Sequence, residues 1–206
     1  MSVTLIIVVL TVIVSIMAIN DNDLKYKLTF SPYSVKHHNR WWLVFTHGLI
    51  HADYAHLSMN MFTLYFLGQG LEGKMIDLFG IKGQFYYVLL YLGGLVFATI
   101  PSFYKHSDNP GYLSLGASGA VSSVVFGFIL LLPLTPLMMM FIPIPIPGYI
   151  FGIGFLVFES YANRKARTNI AHDAHLAGAV FGALFLIVID PSILVDFFHK
   201  VSSAFR

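Results

Sequence analysis

Six apolar windows, separated by polar stretches, leave this chain little choice but to fold as helices in a membrane. They cover residues 3–19, 55–71, 83–101, 117–132, 148–161 and 171–189. A helix needs about 20 residues to cross a hydrocarbon core near 30 Å, and some of these windows are short for that. In lipid every backbone N–H and C=O must find an internal partner, which a helix supplies. Hydrophobic residues make up 57% of the 206 and charged residues only 11%; soluble domains carry about a quarter charged residues. The expected fold is an all-α polytopic membrane protein, a six-helix bundle in which residues 1–206 form a single membrane domain.

Composition also removes several functions. A net charge of +2 without any basic stripe gives no footprint for nucleic acid. With no cysteine there is no disulfide, thiolate nucleophile or thiolate metal site. The first window lacks a basic segment before it, so it reads as a retained helix and not a cleaved signal peptide. The first loop, residues 20–54, holds most of the polar residues, and its Arg40-Trp41-Trp42 cluster suits the headgroup level. Alternating isoleucine and proline over residues 142–147 excludes a helix and reads as loop. Residues 190–206 read as a short interfacial helix with Ile193, Val195, Phe197 and Phe198 on one side.

Polar residues cluster where three of the windows begin. With six spans, the second, fourth and sixth cross in the same direction, so His56 and Asn60, Ser118, and His175 lie at similar depth. Such groups are costly inside a membrane, which makes them candidates for chemistry. Gly119, Ser123 and Gly127 form a small-residue stripe on the fourth window, and Ala174, Gly178 and Gly182 form another on the sixth. Stripes of this kind let helix backbones approach closely, which would bring Ser118 to His175. A serine hydroxyl needs a base to become a nucleophile, and His175 is the candidate. The oxyanion formed on attack needs fixed donors: the Asn60 amide, the His56 imidazole and the Ser118 backbone N–H. Asp173 points off the face of His175, so a Ser-His dyad is the simpler reading.

These residues closely resemble the rhomboid family of intramembrane serine proteases. The matching pieces are His47-x-x-x-His51-x-x-x-x-His56-x-x-x-Asn60, Gly116-x-Ser118-Gly119, and Ala174-His175-x-x-Gly178-x-x-x-Gly182, with Gly68 and Glu72 also fitting. The resemblance covers nearly the whole chain and is to the minimal six-helix form. It implies a serine endopeptidase with Ser118 as nucleophile, His175 as general base, and His56 and Asn60 in the oxyanion hole. Gly116, Gly119, Gly127, Gly178, Gly182 and Glu72 would be structural. The implied partners are transmembrane protein substrates and the lipid bilayer, with no nucleic acid, no cofactor and no metal. A multi-pass position in the cell membrane is the expected location.

Three departures accompany the resemblance. The first loop reads Arg40-Trp41-Trp42 where the family often has Trp-Arg. Ser122 stands four after the serine, where some members stack an aromatic ring on the catalytic imidazole. Family topology puts eight Lys and Arg in outer loops, Arg167 among them, and four inside, against the positive-inside tendency; the family orientation is the expected one.

Other residues read as structural. His47 and His51 would bond first-loop backbone or lie at the interface, His172 would satisfy loop carbonyls, and Glu72 and Glu159 would anchor loops. Met138-Met139-Met140 reads as lipid-facing or gap-filling bulk, not a metal-binding tract. The fifth window, with 14 residues and with Gly148, Gly152 and Gly154, is the element expected to move aside for a substrate helix. Two rivals stand beside the protease. A membrane di-iron oxidase would use His47-x-x-x-His51 and His172-x-x-His175, but its adjacent-histidine boxes are lacking. A catalytically dead rhomboid-like scaffold would typically lack the serine or the histidine.

Overall fold

The computed structural model describes residues 2–139, 142–165 and 171–205; Met140 and Arg167, included in the readings above, lie outside them. α1 (Val3–Asn20) leads into a first loop built from α2 (Asn22–Leu28), α3 (Pro32–His38), α4 (Leu43–Thr46) and a 3₁₀ turn, His47–Leu49. Asp21 and Ser31 cap α2 and α3, and Pro32 opens α3 with its φ already helical. Phe30, Val35 and Leu43 give this loop a small core of its own. Trp41 and Trp42 stay outside it, 57% and 54% exposed, as residues bound for an interface would.

The next helical path is α5 (Tyr54–Thr63), a π-helical turn Leu64–Gly68, and α6 (Gln69–Phe79). It ends at Gly80, whose φ of 59° is left-handed. There follow α7 (Ile81–His106), α8 (Ser118–Leu131), β1 (Pro136–Met139), β2 (Ile142–Pro147), α9 (Gly148–Lys165), α10 (His172–Ile189) and α11 (Ser192–Ser203).

α1, α7 and α10 are long and apolar enough to cross a membrane, and α8 is a shorter apolar helix. The buried side of α1 consists of Thr4, Thr11, Ser15 and Ala18, while Leu5, Ile6, Val9, Leu10, Ile13, Ile16 and Met17 are exposed. A helix with its polar side inward and its apolar side outward is built for lipid. The chain is a helical, multi-pass membrane protein.

α8 is the central helix, packed between α7 and α10. It is buried on every face, all 13 residues from Gly119 to Leu131. Lys200 of α11 donates to the Leu131 carbonyl at 3.0 Å, placing a cation on the negative end of α8. Glu72 anchors the start of α1, not a loop. Its carboxylate accepts the Val3 and Thr4 N–H groups at 2.8 and 2.9 Å and the Thr4 hydroxyl at 2.7 Å.

Two readings need correction. Residues 142–147 are strand β2, antiparallel to β1 with Pro136 opposite Pro147 and Leu137 opposite Ile146. Alternation with proline leaves the isoleucine N–H groups on one edge, so the strand pairs on that edge alone. The fifth helix runs to Lys165, 18 residues or about 27 Å instead of 14 residues. Asn163, Arg164 and Lys165 ended the apolar window, but polar side chains do not stop a helix. Shortness is therefore no reason for α9 to move.

Candidate active site

The segment before α8 is fixed by backbone pairing before any site chemistry begins. Phe30 and Ser114 exchange N–H···O bonds of 2.9 and 3.0 Å, which ties the loop before α8 to the first loop. The Gly116 N–H then reaches the His47 carbonyl at 2.9 Å, and the Ala117 N–H reaches His51 Nε2 at 3.4 Å. Because Nε2 accepts, His51 carries its proton on Nδ1, which donates to Ser15 Oγ at 2.9 Å. Ser15 in turn donates to the Leu49 carbonyl at 2.8 Å. Burial, chiefly, pushes His51 down to about 3, so this relay is neutral.

Gly116 makes a turn that a side chain would obstruct. Its φ is 116°, and a Cβ there would lie 2.6 Å from His56 Cε1. Glycine thus lets the His56 ring lie over the backbone two residues before Ser118. Asp53 caps α5 by accepting the His56 N–H at 2.8 Å. Asn60 is buried, and one of its amide protons goes to the His56 carbonyl at 3.2 Å; the amide has a second proton to offer.

Ser118 is the first residue of α8, and His175 lies in the first turn of α10. Ser118 Oγ is 2.7 Å from His175 Nε2. Among the described residues no side chain caps α8, and the first N–H groups of a helix have no partner within it. Gly119 packs on α7, where a Cβ would strike Ala98, and Gly182 lies against the Ser123 carbonyl. Gly127 faces leucine side chains from α6, α7 and α10 instead of the α10 backbone.

The other ring nitrogen of His175 has a partner that sequence reasoning missed. Nδ1 lies 3.1 Å from Glu159 Oε1, and Glu159 Oε2 lies 2.6 Å from His172 Nδ1. His172 therefore meets a carboxylate rather than only loop carbonyls. Glu159 is 5% exposed, so a carboxylate is held inside the bundle between two histidines. The signal was present in the sequence: Glu159 is the lone acid of the fifth apolar window, and an intramembrane acid marks a site until shown otherwise. Phe155, one turn earlier on α9, brings its ring to 6.5 Å from the His175 ring. Ser122, by contrast, is buried in α8. Asp173 pairs with Lys105 at 2.7 Å, away from the catalytic candidates.

The sequence matches the family model for the Rhomboid domain over residues 38–191. The chain belongs to the rhomboid family. Its similarity extends to RHOMBOID-like protein 12, mitochondrial, of Arabidopsis thaliana, with 31% identity over 150 residues. That alignment covers 68% of this rhomboid and 44% of the plant protein, less than half of its length. The plant protein is named as mitochondrial, so the match lends no support to the cell-membrane expectation.

Glu159, His172 and His175 also have the donor set of a two-histidine, one-carboxylate metal site, with ligand atoms within 4.8 Å of one another. A metal on His175 Nδ1 would confine the proton to Nε2, and the nitrogen facing Ser118 would lose its lone pair. In this rhomboid, metal binding at those three groups and base chemistry at His175 exclude each other.

Proposed function

We propose that this rhomboid is an intramembrane serine endopeptidase that cleaves transmembrane segments of membrane proteins. The observation that carries the reading is the 2.7 Å approach of Ser118 Oγ to His175 Nε2 at adjoining helix starts. Family membership supports the same chemistry. His175 takes the Ser118 proton as Oγ attacks a peptide carbonyl, and later gives that proton to the departing amine. The Ser118 N–H, the second Asn60 amide proton and the His56 ring serve the developing oxyanion.

The substrate is a transmembrane helix with weak helix formers near one end, because its backbone must unwind to reach Ser118. The chemistry requires a bilayer, a protein substrate and water. It requires neither cofactor nor nucleic acid. A dead scaffold has no use for a hydroxyl and an imidazole in hydrogen-bond contact, so the protease is favoured over that rival. Labelling purified protein with a fluorophosphonate and mapping the adduct tests the reading. Modification at Ser118, lost in His175→Ala, is the expected result; no serine adduct, or one at another serine, would contradict it.

A further inference from the structure

We infer that Glu159 is a positioning residue for His175, making the catalytic unit a serine, a histidine and a glutamate drawn from α8, α10 and α9. The inference rests on the protease reading and assigns a third participant to the same site. Its basis is the pair of contacts on one imidazole: Nε2 2.7 Å from Ser118 Oγ and Nδ1 3.1 Å from Glu159 Oε1. For Nε2 to accept the serine proton, the neutral ring must carry its hydrogen on Nδ1. Glu159 Oε1 is the acceptor for that hydrogen, so the carboxylate selects the tautomer in which His175 can act as a base.

The second oxygen explains how Glu159 itself is held. Oε2 accepts from His172 Nδ1 at 2.6 Å, so the carboxylate has a partner on each oxygen. His172 and His175 are three residues apart in the first turn of α10, which places both Nδ1 atoms on the same carboxylate. Glu159 and Phe155 are four apart on α9 and both approach His175. The imidazole is thereby oriented although Ser122, four after the serine, has no ring to stack on it.

The charge has work to do in the chemical step. As Ser118 Oγ bonds to the carbonyl carbon, its proton passes to Nε2 and the carbonyl π pair moves onto oxygen. His175 is then an imidazolium beside the Glu159 carboxylate, which stabilises it. When the tetrahedral centre collapses, the C–N bond breaks and the Nε2 proton leaves with the amine.

The test compares wild type, Ser118→Ala, Glu159→Ala and Glu159→Gln on one fluorescent transmembrane substrate, with kcat, KM and melting temperature measured for each. Glu159→Ala should lower kcat by about 10²- to 10⁴-fold with KM within twofold. Glu159→Gln offers one acceptor and no charge to two N–H groups, so its kcat should fall between those of Glu159→Ala and wild type. A folded Glu159→Gln protein with wild-type kcat, or a loss confined to KM, would overturn the positioning role while Ser118→Ala still reported a serine protease. If Ser118→Ala cleaved like wild type, the protease reading itself would fail, and the role of Glu159 with it.

Discussion

Gly178 packs so tightly on Gly119 that a Cβ added to Gly178 would land on the Gly119 carbonyl oxygen. The obstacle is backbone, which cannot swing aside as a side chain can. This contact sits one residue after Ser118 and three after His175, so the spacing of α8 and α10 sets the distance between hydroxyl and imidazole.

A graded series tests that spacing. Gly178→Leu should cost more than the roughly 1–3 kcal/mol usual for overpacking, and turnover should fall with it. Gly127→Ala should be milder, because its Cβ would meet movable leucine ends at 3.1–3.4 Å. Gly154→Ala meets nothing within 4 Å and should gain up to about 1 kcal/mol from helix propensity. Melting temperature and turnover for all three give the order. Unchanged melting in Gly178→Leu would contradict the packing.

His51 makes stability depend on pH with a definite sign. Its folded pKa is depressed to about 3, while an unperturbed histidine titrates near 6.5. Above about 6.5 the group is neutral in both states and its contribution is complete. As pH falls from there toward 3 the unfolded chain takes up a proton that the folded one refuses, and stability is lost. The limiting slope is about 1.4 kcal/mol per pH unit for one such group. His47, lowered to about 4 by burial, acts in the same direction. Melting temperatures between pH 7.5 and 5 should fall in wild type and fall less steeply in His51→Gln. Parallel curves for the two proteins would contradict this account.

Much of the candidate site was legible because serine, histidine and asparagine stand out in apolar windows, and because small-residue stripes point to the contacting helix faces. Glu159 stood out in the same way, yet no helical spacing relates α9 to α10. Only the packing of the two helices puts its carboxylate on His175 Nδ1. The length of α9 and the β1–β2 pairing were hidden for a different reason. Hydropathy reports where side chains can lie, whereas both features depend on backbone hydrogen bonds.

The oxyanion donors should separate from the fold. Asn60→Ala and His56→Ala should each reduce turnover by about 10²- to 10³-fold, the usual worth of a preorganised donor. Asn60→Ala also removes a bond to the His56 carbonyl, so its melting temperature should drop slightly. Two variants with wild-type rates would move the oxyanion hole elsewhere.

Chelation tests the three donors that could hold a metal. Because a metal on His175 Nδ1 would disable the base, EDTA should leave cleavage unchanged. Activity that vanished with EDTA and returned with zinc or iron would favour metal chemistry at Glu159, His172 and His175.

The most direct measurement of the central claim is cleavage of a fluorescent transmembrane segment by purified protein in liposomes, wild type against Ser118→Ala and His175→Ala. Residues acting as one unit fail together, so each single change should abolish turnover at an unchanged melting temperature. Sustained cleavage by a folded Ser118→Ala protein would contradict the account.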